Sequence, residues 1–201
     1  NILAFIYEWQ LGPSALERFI FTWGLVPANL TNDPIDAWMT IFSAMFLHGG
    51  WFHLLSNMWF LYIFGDNVEA RMGGIRYLIF YLLSGVAAVL LQAYLDPASR
   101  VPMIGASGAI AGVLGAYLIS FPRARIASLV PIIFIFTIIE IPAAIFLVLW
   151  FVSQLYSGLF SMQGASASGI AWWAHIGGFV FGVIMVSFFV RRTIRRSWVQ
   201  E

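Results

Sequence analysis

Residues 103–121 read MIGASGAIAGVLGAYLISF, and the rest of the chain is interpreted around this stretch. Ser107 stands among small residues near the start of an apolar run that approaches the length of a membrane span. Gly108 and Gly112 are four residues apart and are followed by Gly115, a spacing that lets another membrane helix approach closely. Taken alone, the stretch favours a helix-packing seam that carries an incidental serine.

A second glycine-containing run changes this interpretation. Residues 174–178 read AHIGG and carry His175, the only histidine in the second half of the chain. On a helix, His175, Gly178 and Gly182 share one face, because they stand at positions i, i+3 and i+7. We expect that face to press against the glycines after Ser107 and to bring imidazole to hydroxyl. A histidine beside a serine is the minimum for an activated oxygen nucleophile, since the imidazole must take the hydroxyl proton.

The composition is that of a membrane protein. Of 201 residues, 61% are hydrophobic and only 9% are charged, far less charge than a soluble domain carries. The long apolar runs favour helices over a barrel, so the lipid bilayer is an expected partner. The formal net charge of +1 gives no reason to expect nucleic acid. The chain has no cysteine and no clustered His, Asp and Glu set, so we expect neither a metal nor a cofactor.

Apolar runs predict the membrane spans. The run 1–11 is too short to cross a bilayer, and we expect it to be the truncated remnant of a first span or a tilted segment. The five longer spans are predicted at 51–64, 77–95, 103–121, 141–159 and 171–190. Together these runs predict an all-α membrane protein, a single domain over residues 1–201 with a bundle of six transmembrane helices.

Two connections do not read as ordinary solvated loops. Residues 12–50 are too apolar for a solvated loop and too interrupted for a span, and short stretches near 19–21 and 39–42 suggest helices lying in the membrane surface. The β-branched stretch 126–139 is interpreted as an interfacial or re-entrant segment. We expect the next helix to begin at Ile141, with Pro142 in its first turn.

The arginines orient the spans. With the spans above, one side of the membrane receives only Arg18 and Arg100. The other side receives Arg71, Arg76, Arg123, Arg125, Arg191, Arg192, Arg195 and Arg196. The positive-inside rule puts these eight residues and the C-terminus in the cytoplasm. Ser107 and His175 then both begin their helices at the outer side, whereas a seventh span over 126–139 would put them at opposite faces.

A third polar cluster is expected at the same depth. Residues 48–57 read HGGWFHLLSN, and His53 and Asn57 share one helix face at i and i+4. Both side chains can donate hydrogen bonds to a developing oxyanion. The competing interpretation is that each polar residue only bonds a neighbouring helix, although ionisable residues inside membranes are often functional.

These segments together resemble the rhomboid intramembrane serine proteases. The residues that carry the resemblance are His48, His53, Asn57, the run Gly105-Ala106-Ser107-Gly108, Ala174, His175, Gly177, Gly178 and Gly182. Further stretches resemble the bacterial branch of that family, namely 64–69 with Gly73, and 141–143 with Trp150 and Gln154. The resemblance covers about 40–182.

The resemblance implies a fold and a set of roles. The fold is a rhomboid-like bundle of six transmembrane helices with a membrane-embedded first outer loop. Ser107 would be the nucleophile and His175 the general base of a Ser–His dyad. His53, Asn57 and the backbone N–H of Ser107 would form the oxyanion hole, and His48 would be a supporting polar residue of the outer cavity.

The chain departs from the family pattern at two points. Many members carry an aromatic residue four positions after the serine, where it can stack under the histidine, but Ala111 stands there. Something else must therefore orient His175. Many members also carry a Trp-Arg pair in the first outer loop, and residues 12–50 have none. Trp23 and Trp38 are the expected anchors instead.

The leading functional hypothesis is an intramembrane endopeptidase that cuts transmembrane segments of other membrane proteins near the outer face. Its expected location is the bacterial inner membrane, as a multi-pass protein. Alternatives are a rhomboid-like protein that binds membrane clients without cutting them, and a small transporter or channel. The last lacks the internal repeat and the pore-lining polar residues expected of such proteins.

Substrates are expected to enter sideways between the second and fifth spans. Bulky side chains hold helices apart, and lipid gives little drive to close such a seam. The bulky gate residues in the outer halves of these spans are Trp51, Phe52, Trp150, Phe151 and Leu155. The sequence gives no indication of the oligomeric state.

Overall fold

The computed structural model describes residues 1–132, 135–162 and 170–191, and these ranges hold ten α-helices and one β-hairpin. In chain order the α-helices are α1 Ile2–Gln10, α2 Pro13–Trp23, α3 Pro27–Asn32, α4 Pro34–Ala37, α5 Thr40–Ser43, α6 Trp51–Met72, α7 Gly74–Leu95, α8 Ser107–Ser120, α9 Ala143–Ser161 and α10 Trp172–Phe189. The strands are β1 Arg125–Ile132 and β2 Ile135–Pro142. Within the described residues, α7, α9 and α10 are long and apolar enough to cross a membrane, and α8 is a shorter apolar helix.

The segment between α8 and α9 corrects the all-α prediction. Strands β1 and β2 pair antiparallel, from Arg125 opposite Pro142 to Ile132 opposite Ile135. Isoleucine, valine, threonine and phenylalanine, which fill this segment, fit strands well because their side chains pack on a pleated surface. Since Ile141 and Pro142 end β2, helix α9 begins at Ala143, two residues later than predicted.

Helix α6 is longer than its apolar run. The prediction extended the apolar run 51–64 only to Asp66 and placed a polar turn after it, but the helix continues to Met72 through Asp66 and Glu69. Polar side chains do not stop a helix whose other face stays buried, as Val68 and Met72 do here. The stop is Gly73, whose φ of +81° is a conformation that L side chains rarely adopt.

Glycines bring α8 and α10 into backbone contact. A side chain at Gly178 would collide with the carbonyl oxygen of Gly108, and one at Gly182 would collide with that of Gly112. On another side of α8, a side chain at Gly112 would also collide with Ser84 of α7. The predicted glycine seam between these two parallel helices is therefore confirmed, and the serine and histidine ends of the helices lie side by side.

The N-terminal helices hold the segment that precedes Ser107. Leu25 and Met103 exchange two backbone hydrogen bonds of 3.0 and 2.7 Å. The N–H of Gly105 donates to the carbonyl of Ala44 at 2.9 Å. Helices α2 and α5 occupy the two stretches that were expected to be helical within 12–50. The first loop thus fixes where α8 can begin.

The other end of the bundle gathers arginines. Arg71 donates to the carbonyl of Ser120 at 3.3 Å and lies over the ring of Phe121, 5.5 Å from its centroid. The N–H of Arg191 donates to the carbonyl of Arg71 at 3.0 Å. The ends of α6, α8 and α10 therefore meet opposite the Ser107 end. The predicted arginine cluster at 192, 195 and 196 lies outside the described residues.

Candidate active site

Ser107 is the first residue of α8. The chain reaches it through Gly105, whose φ of +124° favours glycine, and Ala106, which is fully buried. The Ser107 Oγ lies 2.7 Å from the Nε2 of His175, a hydrogen bond between groups 68 residues apart. At a helix start the first N–H groups have no partner within the helix, so the backbone donors of the first turn are available beside the Ser107 hydroxyl.

Side chains of α9 and α10 surround the imidazole of His175. Its Nδ1 lies 2.8 Å from the Oε1 of Gln154. The rings of Trp150 and Trp172 stand on two sides of it, each with its centroid 6.1 Å away. Ala111, where many family members have an aromatic residue, is fully buried within α8, and the contacts seen on His175 come from α9 and α10.

The sequence pattern did not identify the contact between Gln154 and His175, because Gln154 was noted only as a residue shared with the bacterial branch. The sequence feature that could have indicated this contact is a glutamine inside an apolar helix, since polar residues within membrane helices need a partner. Trp172 was interpreted only as part of an interfacial belt. Its position beside His175 could not be read from that pattern.

His53 and Asn57 lie beside the turn that leads into α8. The N–H of Gly49 donates to the Nδ1 of His53 at 3.3 Å, so the neutral ring carries its proton on Nε2. A Cβ at Gly105 would be 2.6 Å from that Nε2 and 3.7 Å from the Nδ2 of Asn57. Asn57 is buried, and its Nδ2 has no hydrogen-bond partner within the part of the chain that the structure describes. Two donors are thus gathered near the start of α8.

His48 lies behind His53, away from the lining of the cavity described below. The two rings meet edge to face with centroids 5.2 Å apart. The backbone N–H of His48 donates to the Oε2 of Glu8 at 3.1 Å, and its Nδ1 lies 3.2 Å from the carbonyl of Phe46. Burial, with a smaller contribution from the nearby charge of His53, lowers the pKa of His48 to about 4. The imidazole is therefore neutral at pH 7.

The contact between Glu8 and His48 was not anticipated from the sequence. Glu8 is 1% exposed, although it belongs to the short helix α1 at the start of the chain. A charged residue inside an apolar run was the signal that could have drawn attention to it. Its partner, 40 residues away, could not be identified without the fold.

A cavity of about 690 Å³ joins these groups. It lies between α6 and α9, at the end of the bundle where α8 begins, and its lining includes His53, Asn57, Ser107, Gln154 and His175. Among the described residues, no three His, Asp or Glu side chains come together as a metal site. The cavity thus brings the Ser107 hydroxyl and the side chains of His53 and Asn57 to one shared space.

The five predicted gate residues do not form one contact. Phe52, which is 87% exposed, and Trp150 both line the cavity. The ring of Trp51 instead packs edge-on against Phe5 and Trp9 of α1, with centroids 4.9 and 5.8 Å away.

The other two gate residues lie elsewhere on α9. Phe151 stacks on Phe179 of α10 at 4.7 Å, and Leu155 is half-buried. Of the predicted set, only Phe52 and Trp150 thus face the cavity from opposite sides.

Comparison with known proteins gives a consistent family. The family described as "Rhomboid domain" matches residues 36–192. The chain is 35% identical over 113 residues to Rhomboid-like protein 11, chloroplastic, of Arabidopsis thaliana, an alignment that covers 56% of this chain and 40% of that protein.

Two further relatives align over more of the chain. It is 29% identical over 161 residues to Rhomboid protein 1, mitochondrial, of Saccharomyces cerevisiae, covering 77% of this chain and 43% of that protein. It is 32% identical over 189 residues to Rhomboid-like protease 5 of Toxoplasma gondii, covering 87% and 19% respectively. The chain thus spans less than half the length of each of these three relatives.

Proposed function

The chain belongs to the rhomboid family of integral membrane proteins, and from that premise we propose that it is an intramembrane serine endopeptidase. The observation that supports the proposal best is the 2.7 Å contact between the Ser107 Oγ and the His175 Nε2, at the wall of a cavity that also holds unpartnered donors. A relative named a rhomboid protease, from Toxoplasma gondii, aligns with 87% of the chain.

The proposed reaction begins when His175 Nε2 takes the proton of the Ser107 hydroxyl as Oγ attacks a peptide carbonyl. The charge that develops on the carbonyl oxygen is met by His53 Nε2–H, Asn57 Nδ2–H and the backbone N–H of Ser107. Collapse of this intermediate breaks the C–N bond, and His175 gives its proton to the leaving amine. Water then attacks the acyl-enzyme with His175 again as base, which releases the new carboxyl end and restores Ser107.

The proposed substrates are transmembrane segments of other membrane proteins. A helical peptide bond is shielded by its own hydrogen bonds, so a substrate must unwind locally before Ser107 can reach its carbonyl. Phe52 of α6 and Trp150 of α9 both line the cavity, which supports lateral access between these two helices. Trp51, Phe151 and Leu155 would then control the opening through their packing on α1 and α10 rather than by direct contact.

The proposal includes an orientation and a compartment. Arg71 and Arg191 gather at the end of the bundle opposite Ser107, which supports a cytoplasmic C-terminus and a site near the outer face. We further propose that the chain forms a six-helix bundle in a bacterial plasma membrane, with its first loop embedded in the membrane. Reporter fusions after Arg123 and after Arg100 test it, and a reporter after Arg123 that reads as external contradicts it.

Fluorophosphonate labelling of the detergent-solubilised protein tests the central assignment. We expect labelling of the wild type and none of Ser107→Ala, with Ser120→Ala at the far end of the same helix as the matched control. His175→Ala should lose labelling and cleavage of a transmembrane substrate to the same residual level, because the pair acts as a unit. Cleavage retained in Ser107→Ala would overturn the assignment of Ser107 as the nucleophile, and a wild type that neither labels nor cleaves would favour a client-binding, non-proteolytic protein.

A further inference from the structure

The imidazole of His175 receives one polar side-chain contact on each ring nitrogen, from two different helices. Its Nε2 meets Ser107 Oγ of α8 at 2.7 Å, and its Nδ1 meets Gln154 Oε1 of α9 at 2.8 Å. Gln154 is only 7% exposed. A buried amide in an apolar helix costs free energy unless its hydrogen bonds are made, and the oxygen of this amide makes its hydrogen bond with the histidine.

Neighbouring hydrogen bonds fix which way the amide points. The Ser153 hydroxyl lies 2.6 Å from the carbonyl of Trp150, to which it donates its only proton. The Ser153 oxygen therefore accepts from the Nε2 of Gln154, 3.0 Å away. That contact assigns the NH₂ group of Gln154 to Ser153 and leaves the amide oxygen facing His175.

The amide oxygen in turn fixes the tautomer of the imidazole. A carbonyl oxygen only accepts, so His175 must carry its proton on Nδ1. In the neutral ring the lone pair then lies on Nε2 and faces the Ser107 hydroxyl. This is the protonation state that a general base needs, and the opposite tautomer would present an N–H to the serine instead.

We propose that Gln154 is the positioning residue of His175, holding the ring orientation and the Nδ1–H tautomer in place of a stacked aromatic residue. The inference rests on the proposed function, since it assigns Gln154 a role only if His175 is the base. A neutral amide also stabilises the imidazolium that forms during attack through its carbonyl dipole, although less than a carboxylate does.

The position of Gln154 couples the base to α9. Gln154 and Trp150 both reach His175 from α9, and Phe151 of the same helix stacks on Phe179 of α10 at 4.7 Å. A displacement of α9 that admits substrate breaks the Gln154 hydrogen bond. His175 is then aligned for proton transfer only when the outer half of α9 lies against α10. Substrate admission and the chemical step therefore need two different placements of α9.

Three variants test this role. Gln154→Met keeps the length of the side chain and removes the acceptor, Gln154→Glu keeps an acceptor, and Gln92→Met changes a buried glutamine of α7 as the matched control. For cleavage of a transmembrane substrate, we expect Gln154→Met to lower kcat at least about tenfold with KM nearly unchanged. Gln154→Glu should restore most of kcat, and Gln92→Met should leave it unchanged.

The outcomes separate this inference from the proposed function. If the wild type labels at Ser107 and Gln154→Met keeps full kcat, the positioning role is wrong while the protease stands. A Gln154→Glu variant no better than Gln154→Met would also overturn the role, because packing alone would then explain the loss. If the wild type itself shows no labelling at Ser107, the proposed function fails first.

A spectroscopic measurement on the unsubstituted protein covers the case in which Gln154→Met does not fold. The chain has three histidines, so ¹⁵N-histidine spectra can be assigned with His175→Ala as reference. We expect His175 at neutral pH to show a protonated Nδ1 and an unprotonated Nε2. A protonated Nε2 with a bare Nδ1 would contradict the inference.

Discussion

Two helix pairs meet at the site in opposite ways. Helices α8 and α10 touch through bare backbone, because Gly178 and Gly182 lie against the carbonyls of Gly108 and Gly112. Helices α6 and α9 contact through aromatic rings at the arginine-rich end of the bundle, where Phe146 lies 6.4 Å from Phe60 and 6.2 Å from Phe64. Toward the Ser107 end the second pair is separated by the cavity of about 690 Å³.

The two helix pairs are expected to differ in how freely their helices can move. Backbone-to-backbone packing leaves no freedom to shift without collision, so Ser107 and His175 are held at fixed separation. Aromatic rings can slide and rotate, so we expect that α9 can move relative to α6 without separating the backbones that carry Ser107 and His175. On the proposed function, the nucleophile and the base thus stand on the tight pair and the access route lies at the loose pair.

The largest effect is expected from breaking the tight pair. Gly182→Val places a branched side chain against the backbone of Gly112, two turns below His175, and cannot be relieved by a rotamer change. We expect cleavage and labelling to be lost and the unfolding temperature in detergent to fall, for a cost of about 3 kcal/mol or more. Gly12→Val is the control, since nothing lies within 4 Å of its Cβ. Normal activity in Gly182→Val would mean that the tight contact is dispensable.

A crosslink across the loose pair should have the next largest effect. The cysteine-free chain allows cysteines at Phe52 and Leu155, joined by oxidation or, since a cavity separates the helices, by a short thiol-reactive crosslinker. We expect the crosslink to reduce cleavage of a transmembrane substrate to background and thiol reduction to restore it.

Controls for the crosslink are the two single-cysteine variants and the uncrosslinked double variant, all of which should be active. Fluorophosphonate labelling needs only a small opening and should survive better than proteolysis. A fully crosslinked protein that still cuts a transmembrane substrate at the normal rate would show that substrates do not pass between α6 and α9.

Substitution of the hydrogen-bond donors that line the cavity is expected to have a smaller effect than breaking the tight pair or crosslinking the loose pair. His53→Ala and Asn57→Ala remove one donor each and leave the glycine seam untouched, so they should lower kcat without lowering the unfolding temperature. Loss of one oxyanion donor costs about 10²-fold in kcat, and less where other donors compensate. Ser56→Ala, on the same helix and also at the cavity, is the control. If the double variant His53→Ala, Asn57→Ala cleaves normally, these residues only support the structure.

The tight pair could be predicted from the sequence and the loose pair only in outline. Glycine spacing identifies a backbone contact directly, because only glycine permits it, and so Ser107 and His175 could be placed together from the pattern. The face that α9 turns to α10 depends on how Trp150 and Phe151 pack on Phe179, which spacing does not specify. The contact of Gln154 with His175 follows from that packing and was therefore missed.

Two features of the fold escaped prediction for other physical reasons. The run 126–139 is apolar and β-branched without a clear period, and such a run fits a hairpin or a membrane segment equally well. The end of α6 was predicted at Phe64 to Asp66 because hydropathy falls there, whereas the helix ends only before Gly73, where φ becomes positive. Hydropathy predicts the membrane-buried part of a helix, and the glycine predicts where the helix itself ends.

The smallest expected effect concerns His48, in the loop that precedes α6 on the loose side. Its pKa of about 4 in the folded protein lies below the ordinary histidine pKa of 6.5, so the folded protein binds fewer protons than the unfolded chain between these pH values. The sign follows directly: this contribution to stability is fully present above pH 6.5 and is lost as the pH falls towards 4.

His48→Gln removes the titrating ring and keeps the backbone N–H that donates to Glu8. We therefore expect the unfolding temperature of the wild type in detergent to fall by several degrees more than that of His48→Gln between pH 6.5 and 4. Glu8 and His53 remain in both proteins, so their own titration largely cancels in the difference. Because His48 lies outside the glycine seam, its substitution should leave activity at pH 7.5 within a few-fold of the wild type. If the unfolding temperatures of the two proteins depend on pH in the same way, the His48 ring is solvated in the folded state. If His48→Gln loses as much activity as Gly182→Val, the loose pair of helices also sets the distance between Ser107 and His175.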